Sequence, residues 1–125
     1  MKNIIITEHA PAAIGPYSQG TEANGVIFIS GQLPIDAKTG MMAPADVKAQ
    51  TAASLKNIEA ILSKAGLTMD HIMKTTVLMT DLSKFGEMNE VYATFFKKAA
   101  PARAAYEVKA LPKGAMVEIE AIAIR

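Results

Sequence analysis

The segment AMVEIEAIAIR, residues 115–125, alternates between two sets of side chains along its length. One set is entirely apolar and comprises Val117, Ile119, Ala121 and Ala123; the other comprises Met116, Glu118, Glu120, Ile122 and Ile124. This period of two predicts a β-strand with one face on a hydrophobic core. The opposite face ends in isoleucines, so the strand is apolar on both sides at its end. We therefore expect a sheet that is covered on both faces.

Upstream of this strand, Asn24-Gly25 predicts a tight hairpin, because both residues tolerate positive φ. Strands are expected on either side of it, over 18–23 and 26–32. The β-branched segment HIMKTTVLMTD predicts a further strand over 71–80, and another is expected over 103–109.

Two amphipathic helices separate these strands. The first is predicted over 46–65, with Asp46 as its N-cap and Gly66 at its end. The second is predicted over 83–98, capped by Asp81 or Ser83. The apolar stripes are Val47, Thr51, Leu55, Ile58 and Leu62 in the first helix, and Phe85, Met88, Tyr92, Phe95 and Phe96 in the second.

The predicted order is therefore β-β-β-α-β-α-β-β, an α+β fold with one sheet and two helices on one of its faces. The length of 125 residues suits a single domain spanning 1–125. The other sheet face carries apolar residues that neither helix covers. An uncovered apolar face implies another subunit, so we expect a homo-oligomer.

Composition excludes several classes of protein. There are no cysteines, which rules out disulfides, thiolate metal sites and cysteine nucleophiles. The apolar run near the N-terminus is too short for a signal peptide or a membrane span, so we expect a cytosolic protein. The net charge of +1 and the 6% aromatic content are unlike a nucleic-acid-binding surface. His9 and His71 show no metal-ligand spacing, and no metal site is predicted.

Arg103 is the only arginine apart from the C-terminal Arg125. A guanidinium is a planar fork that binds a carboxylate through two hydrogen bonds. Ala105 shares its strand face and would leave room for a ligand. Arg103 is equally compatible with a solvated surface position or a structural ion pair.

Glu118 and Glu120 lie on one face of the last strand. The pair is compatible with a stripe of solvated carboxylates or with a general base. Because Met116 and Ile122 share this face, a glutamate there is expected to have a raised pKa.

Four more residues are candidates for a ligand site. Asn89 lies beside the apolar stripe of the second helix, and its amide needs a partner in the core or in a cleft. Tyr17 either contacts a ligand or fills its loop. Ser30-Gly31 ends an apolar strand, where glycine indicates either a bulge or a close approach of ligand or chain.

Taken together, the motifs IGPYSQ, SGQ, NEVY and PAR…VEIEAIA resemble those of the RidA/YjgF family of reactive-intermediate imine deaminases. The resemblance covers essentially the whole chain. It implies a chorismate-mutase-like fold and a homotrimer, in which three sheets form a central barrel and the active sites lie at subunit interfaces.

The activity implied by the resemblance is hydrolysis of 2-iminobutanoate and 2-iminopropanoate to 2-keto acids and ammonia without any cofactor. These reactive imines arise from enamines that pyridoxal-phosphate dehydratases release. Arg103 would bind the substrate carboxylate and Glu118 would activate water. Tyr17, from the neighbouring subunit, would position substrate or water. Ser30, Gly31 and Asn89 would line the cleft, and the backbone of residue 105 would contact the imine nitrogen.

The sequence departs from the family at Ala105, where well-known deaminases carry cysteine. Two other activities stay open: a non-catalytic keto- or imino-acid-binding or chaperone-like trimer, and a ribonuclease or translation inhibitor. The near-neutral charge disfavours the ribonuclease.

Overall fold

A computed structural model describes all residues, 1–125. The predicted hairpin is present: Asn24 and Gly25 adopt φ values of 52° and 78°, and Ala23 pairs with Val26 across the turn. Positive φ at both turn positions matches the right-handed twist of the paired strands. This hairpin provides the second and third strands of the sheet.

The six strands form one mixed sheet. They are β1 (Asn3–Ile5), β2 (Gly20–Ala23), β3 (Val26–Gln32), β4 (Ile72–Met79), β5 (Ala102–Glu107) and β6 (Val117–Ile124). Their order across the sheet is β1-β2-β3-β6-β4-β5; β4 and β5 are parallel and all other neighbours are antiparallel. The predicted element order is confirmed. The first strand was predicted without bounds, and each of the other five begins and ends within two residues of its predicted range.

Helix α1 (Val47–Lys64) follows the prediction closely. The Asp46 side chain accepts a hydrogen bond from the Ala49 backbone N–H at 2.8 Å, so it caps the first turn. Gly66 follows the C-terminus at φ 77°, a left-handed conformation that stops a helix. The predicted apolar stripe of α1 is buried throughout.

Helix α2 (Phe85–Phe95) is shorter than predicted at both ends. A 3₁₀ turn, Leu82–Lys84, precedes it, and the Asp81 side chain accepts from the Ser83 N–H at 2.9 Å. At the other end Phe96 leaves the helix at φ −128°, ψ 73° and packs its ring against Tyr92 at 4.7 Å. The helix therefore ends at residue 95 and not at 98, because the core takes up the last aromatic ring.

Both helices lie on one face of the sheet, as predicted. Val117, Ile119 and Ala123 of β6 are completely buried on that face. On the opposite face, called the open face below, Phe28, Ile124 and Tyr106 keep 52%, 45% and 57% of their surface exposed. One chain thus leaves a sheet face with large apolar side chains uncovered. Neither helix is long and apolar enough to cross a membrane.

Candidate active site

A cleft of about 920 Å³ opens beside Glu118. Its walls come from the loop before β2, the end of β3, the segment after β3 and the turn before β6. The residues that face it include Ile14, Tyr17, Ser30, Gly31, Leu33, Ile35, Pro112, Lys113, Glu118 and Glu120. The lining combines apolar side chains with several polar and charged groups that converge on the cleft, and such convergence of polar groups is typical of small-molecule sites.

Gly31 brings the backbone of β3 against the Glu118 side chain. The pairing of β3 with β6 shifts register between Ile29 and Gln32, so a bulge is present at Ser30-Gly31. A Cβ atom at position 31 would lie 2.9 Å from Glu118 Cδ and still closer to its Oε2. The predicted bulge is therefore present, and the glycine also makes room for the Glu118 side chain of the same chain. A close approach of a ligand or another chain stays a prediction.

The environment of Glu118 raises its pKa above the usual glutamate value. Partial burial is the larger cause, because it disfavours the charged carboxylate, and the negative charge of Glu120 adds to it. Glu118 is half-buried whereas Glu120 is exposed, and both lie on the open face as predicted. Glu118 thus has the environment expected of an acid–base group.

Tyr17 and Ser30 belong to two walls of this cleft that are tied together. The Ser30 hydroxyl donates to the Ser18 carbonyl at 2.5 Å, and the Ser30 N–H donates to the Gln19 carbonyl at 3.0 Å. Tyr17, which directly precedes Ser18, lines the cleft and is 53% exposed. The Ser30 hydroxyl is therefore engaged within the chain, while the Tyr17 hydroxyl stays available to a ligand.

Arg103 lies elsewhere, against α2. Its Nη1 donates to Asn89 Oδ1 at 2.8 Å, and its guanidinium carbon lies 5.1 Å and 4.8 Å from the ring centres of Phe85 and Tyr92. Asn89, predicted to bond in the core or to face a cleft, thus has Arg103 as its partner. No acidic side chain lies within 4.0 Å of the Arg103 guanidinium.

Within one chain, Arg103 and Glu118 point to opposite faces of the sheet. Arg103 pairs in register with Thr75 of β4, which is 1% exposed on the helix side. Glu118 pairs with Leu78, three residues further along β4, and therefore faces the open side. One chain therefore carries two separate clusters of candidate residues, called half-sites below, one around Glu118 and one around Arg103.

The backbone N–H and C=O of Ala105 have no partner in the sheet. The Val108 N–H donates to the Met79 carbonyl at 2.8 Å, so backbone groups of alternate residues in β5 point toward β4. The N–H and C=O of Ala105 then point away from β4, outward from the unpaired edge of the sheet. The Ala105 side chain packs partly against the core.

The histidines lie outside both half-sites. His9 is exposed, with Nε2 3.9 Å from Glu8 Oε1, in a separate groove of about 550 Å³. The His71 Nδ1 accepts from the Thr68 N–H at 3.1 Å. No cluster of three or more histidine and acidic side chains is suited to hold a metal ion.

Sequence reasoning missed the residues that support these half-sites. Gln19 is 3% exposed; its Oε1 accepts from the Thr7 N–H at 2.8 Å, and its Nε2 donates to the carbonyls of Thr7, Ala10 and Pro11. It thereby fixes the loop that leads to Tyr17. A glutamine in a polar loop carries no sign of burial. The contact of Phe85 and Tyr92 with Arg103 was not predicted, because both residues also fit the apolar stripe of a helix that packs on the core.

The fold is that of a small α+β protein with one mixed sheet and two helices on one of its faces. The sequence profile of one family, described as Endoribonuclease L-PSP, matches residues 7–125. A 2-iminobutanoate/2-iminopropanoate deaminase from Mus musculus is 47% identical over 125 residues, covering all of this chain and 93% of that protein.

Two crystal structures are closely similar. YyfA of Yersinia pestis, a Rid-family protein of unknown function, is 48% identical, with a TM-score of 0.98 and full coverage of both chains. TdcF of E. coli with bound serine is 47% identical, with a TM-score of 0.95 and 98% coverage of each. The chain belongs to the Endoribonuclease L-PSP family, which is the RidA/YjgF family that its motifs resemble.

Proposed function

We propose that the protein is a 2-iminobutanoate/2-iminopropanoate deaminase that needs no cofactor and hydrolyses 2-imino acids to 2-keto acids and ammonia. The observation that carries the proposal is Glu118, a cleft carboxylate with a raised pKa that lies directly against Gly31. The name of the mouse relative, at 47% identity, supports the same reaction.

The proposed site is shared between subunits. Since Arg103 and Glu118 face opposite sides of their own sheet, one copy would supply Arg103 and the next copy Glu118 and Tyr17. The uncovered Phe28, Ile124 and Tyr106 support an assembly that covers the open face. We propose a homotrimer in which three sheets close a central barrel, with the helices outside.

The proposed chemistry needs few groups. Arg103 binds the substrate carboxylate through two N–H groups, and the Ala105 backbone contacts the imine nitrogen. Glu118 takes a proton from water as the water oxygen attacks the imine carbon, and it then passes this proton to the nitrogen to give a carbinolamine. The carbinolamine hydroxyl gives its proton to the nitrogen, by way of Glu118, as the carbon–nitrogen bond breaks, releasing 2-keto acid and ammonia. Tyr17 positions the water or substrate, and Ser30, Gly31 and Asn89 line or support the site.

The Ala105 position is compatible with this role. The N–H and C=O of Ala105 point outward from the unpaired edge of β5. A contact with the imine nitrogen would therefore depend on the backbone and not on a side chain. Alanine in place of the family's usual cysteine should therefore preserve the reaction.

The test is release of keto acid and ammonia from imines that threonine dehydratase generates in situ. The purified protein should accelerate release above the spontaneous rate, and Arg103→Ala should abolish the acceleration. Binding of 2-ketobutanoate without any acceleration would replace the proposal with a ligand-binding role for the same cleft.

An RNA substrate is not favoured. The net charge is +1, and the Glu118 cleft also carries Glu120 and Asp36, whose negative charges repel a phosphate backbone.

A further inference from the structure

One face of α2 surrounds the guanidinium of Arg103. Phe85, Asn89 and Tyr92 follow one another at spacings of four and three, so they share this face. Two of them contribute aromatic rings, at 5.1 Å and 4.8 Å from the guanidinium carbon, and Asn89 contributes an acceptor at 2.8 Å. Distances within about 6 Å of a ring centre are those of cation–π contacts.

The Tyr92 ring is itself fixed in place. Its hydroxyl and the Thr75 hydroxyl form a buried hydrogen bond of 2.7 Å, and its ring packs on Phe96 at 4.7 Å. Thr75 is also the strand partner of Arg103. The surface that holds the guanidinium is therefore anchored both in the sheet and in the core.

The two arginines of the chain contrast sharply. Arg125 donates from Nε and Nη2 to the two carboxylate oxygens of Glu22, at 2.9 Å each, so its charge is neutralised. Arg103 is held by two rings and one amide and has no acidic partner. Of its five N–H donors, Asn89 takes one, which leaves enough for a carboxylate to bind in two places.

We propose that Phe85, Asn89 and Tyr92 are positioning residues that hold the Arg103 guanidinium in one orientation without neutralising its charge. Their effect on a ligand is exerted through Arg103, and the ligand class, a small 2-keto or 2-imino carboxylate, rests on the proposed function. Ordering the guanidinium in advance removes part of the entropy cost of binding. Without the rings, the same charge would bind the same carboxylate less tightly.

The order of the guanidinium can be measured without any ligand. In a ¹⁵N-labelled protein only two arginine Nε–H signals exist, from Arg103 and Arg125. Their heteronuclear NOE reports side-chain motion, and Arg125 serves as the internal reference. In the wild-type protein, the heteronuclear NOE of both Nε–H groups should have the value of a rigid side chain. Phe85→Leu should make the Arg103 signal mobile and leave Arg125 rigid, whereas Phe85→Tyr, which keeps the ring, should retain the rigid signal.

Phe95→Leu is the matched control, because it removes a ring from the same helix that packs on the core and not on Arg103. It should leave both Nε signals unchanged. An Arg103 signal that is mobile in wild type, or one that Phe85→Leu does not affect, would overturn the proposal.

Ligand binding gives the second measurement. Isothermal titration with 2-ketobutanoate should show about two- to fivefold weaker binding for Phe85→Leu than for wild type. Its methyl ester, which lacks the carboxylate charge, should bind both proteins equally. Equal loss for both ligands would show a general distortion and contradict the proposal. If wild type bound no 2-ketobutanoate but kept a rigid Arg103 signal, the proposed function would fail while the positioning role stood.

Discussion

Replacing Gly31 with alanine should disable the Glu118 half-site with little loss of stability. The added Cβ would lie 2.9 Å from Glu118 Cδ and 3.2 Å from Cγ. Ordinary carbon–carbon contacts begin near about 3.5 Å, so the carboxyl carbon must move by roughly 0.6 Å, and the oxygen by more. A displacement of about 1 Å in a reacting group can cost about a hundredfold in rate. We therefore expect kcat/KM to fall by about ten- to a hundredfold.

The free energy of unfolding should change much less. The atoms that must move are at the end of a half-exposed side chain, which can turn into the cleft. Alanine also restricts the unfolded chain, which contributes about 0.4–1 kcal/mol in the opposite direction. We expect a net change within about 1 kcal/mol, measured by urea unfolding.

The matched control is Gly86→Ala in α2, where a Cβ meets nothing within 4 Å. It should raise stability by about 0.5–1 kcal/mol, as expected for glycine in a helix, and leave the rate of imine hydrolysis unchanged. Full activity in Gly31→Ala would show that the position of the Glu118 carboxylate does not matter, and would refute the reasoning.

Three further predictions concern titration and capping. Glu120→Gln should shift the acidic limb of the pH–rate profile to lower pH, because the Glu120 charge helps to raise the Glu118 pKa; an unmoved limb would contradict this. Glu118→Gln should unfold at higher urea than wild type near neutral pH. Because the pKa of Glu118 is raised in the folded state, the wild-type fold is more stable when this carboxyl is protonated. That stability is fully present below the usual glutamate pKa and is lost as pH rises through the folded-state pKa. The higher stability of Glu118→Gln should therefore vanish in acid. Asp46→Ala should lower the free energy of unfolding by about 1 kcal/mol through loss of the α1 cap, whereas Asp46→Asn should retain most of it.

Local patterns in the sequence predicted the elements correctly. The alternation of β6, the Asn24-Gly25 turn and the Asp46 cap each depend on neighbours within a few residues, and all three are present. The predicted end of α2, residue 98, was wrong by three residues, because Phe96 leaves the helix and packs on Tyr92. Burial against a distant part of the fold overrode the helical periodicity.

The arrangement of the site depends on long-range pairing that no local pattern encodes. Arg103 and Glu118 were both identified as candidates, but their opposite directions follow from β4 lying between β5 and β6 in one register. The contact of Gly31 with Glu118 likewise depends on a register shift. Sequence could propose which residues are candidates for the site but not that Arg103 and Glu118 face opposite sides of the same sheet.

Subunit mixing tests the central claim, that Arg103 of one copy acts with Glu118 of another. Arg103→Ala and Glu118→Gln should each be inactive alone. When equal amounts are unfolded, mixed and refolded together, roughly a quarter of the interface sites should receive both intact residues in any closed ring, so activity should return to about a quarter of wild type. Each variant refolded by itself is the control. No recovery from mixed assemblies that have demonstrably exchanged subunits would contradict a shared site.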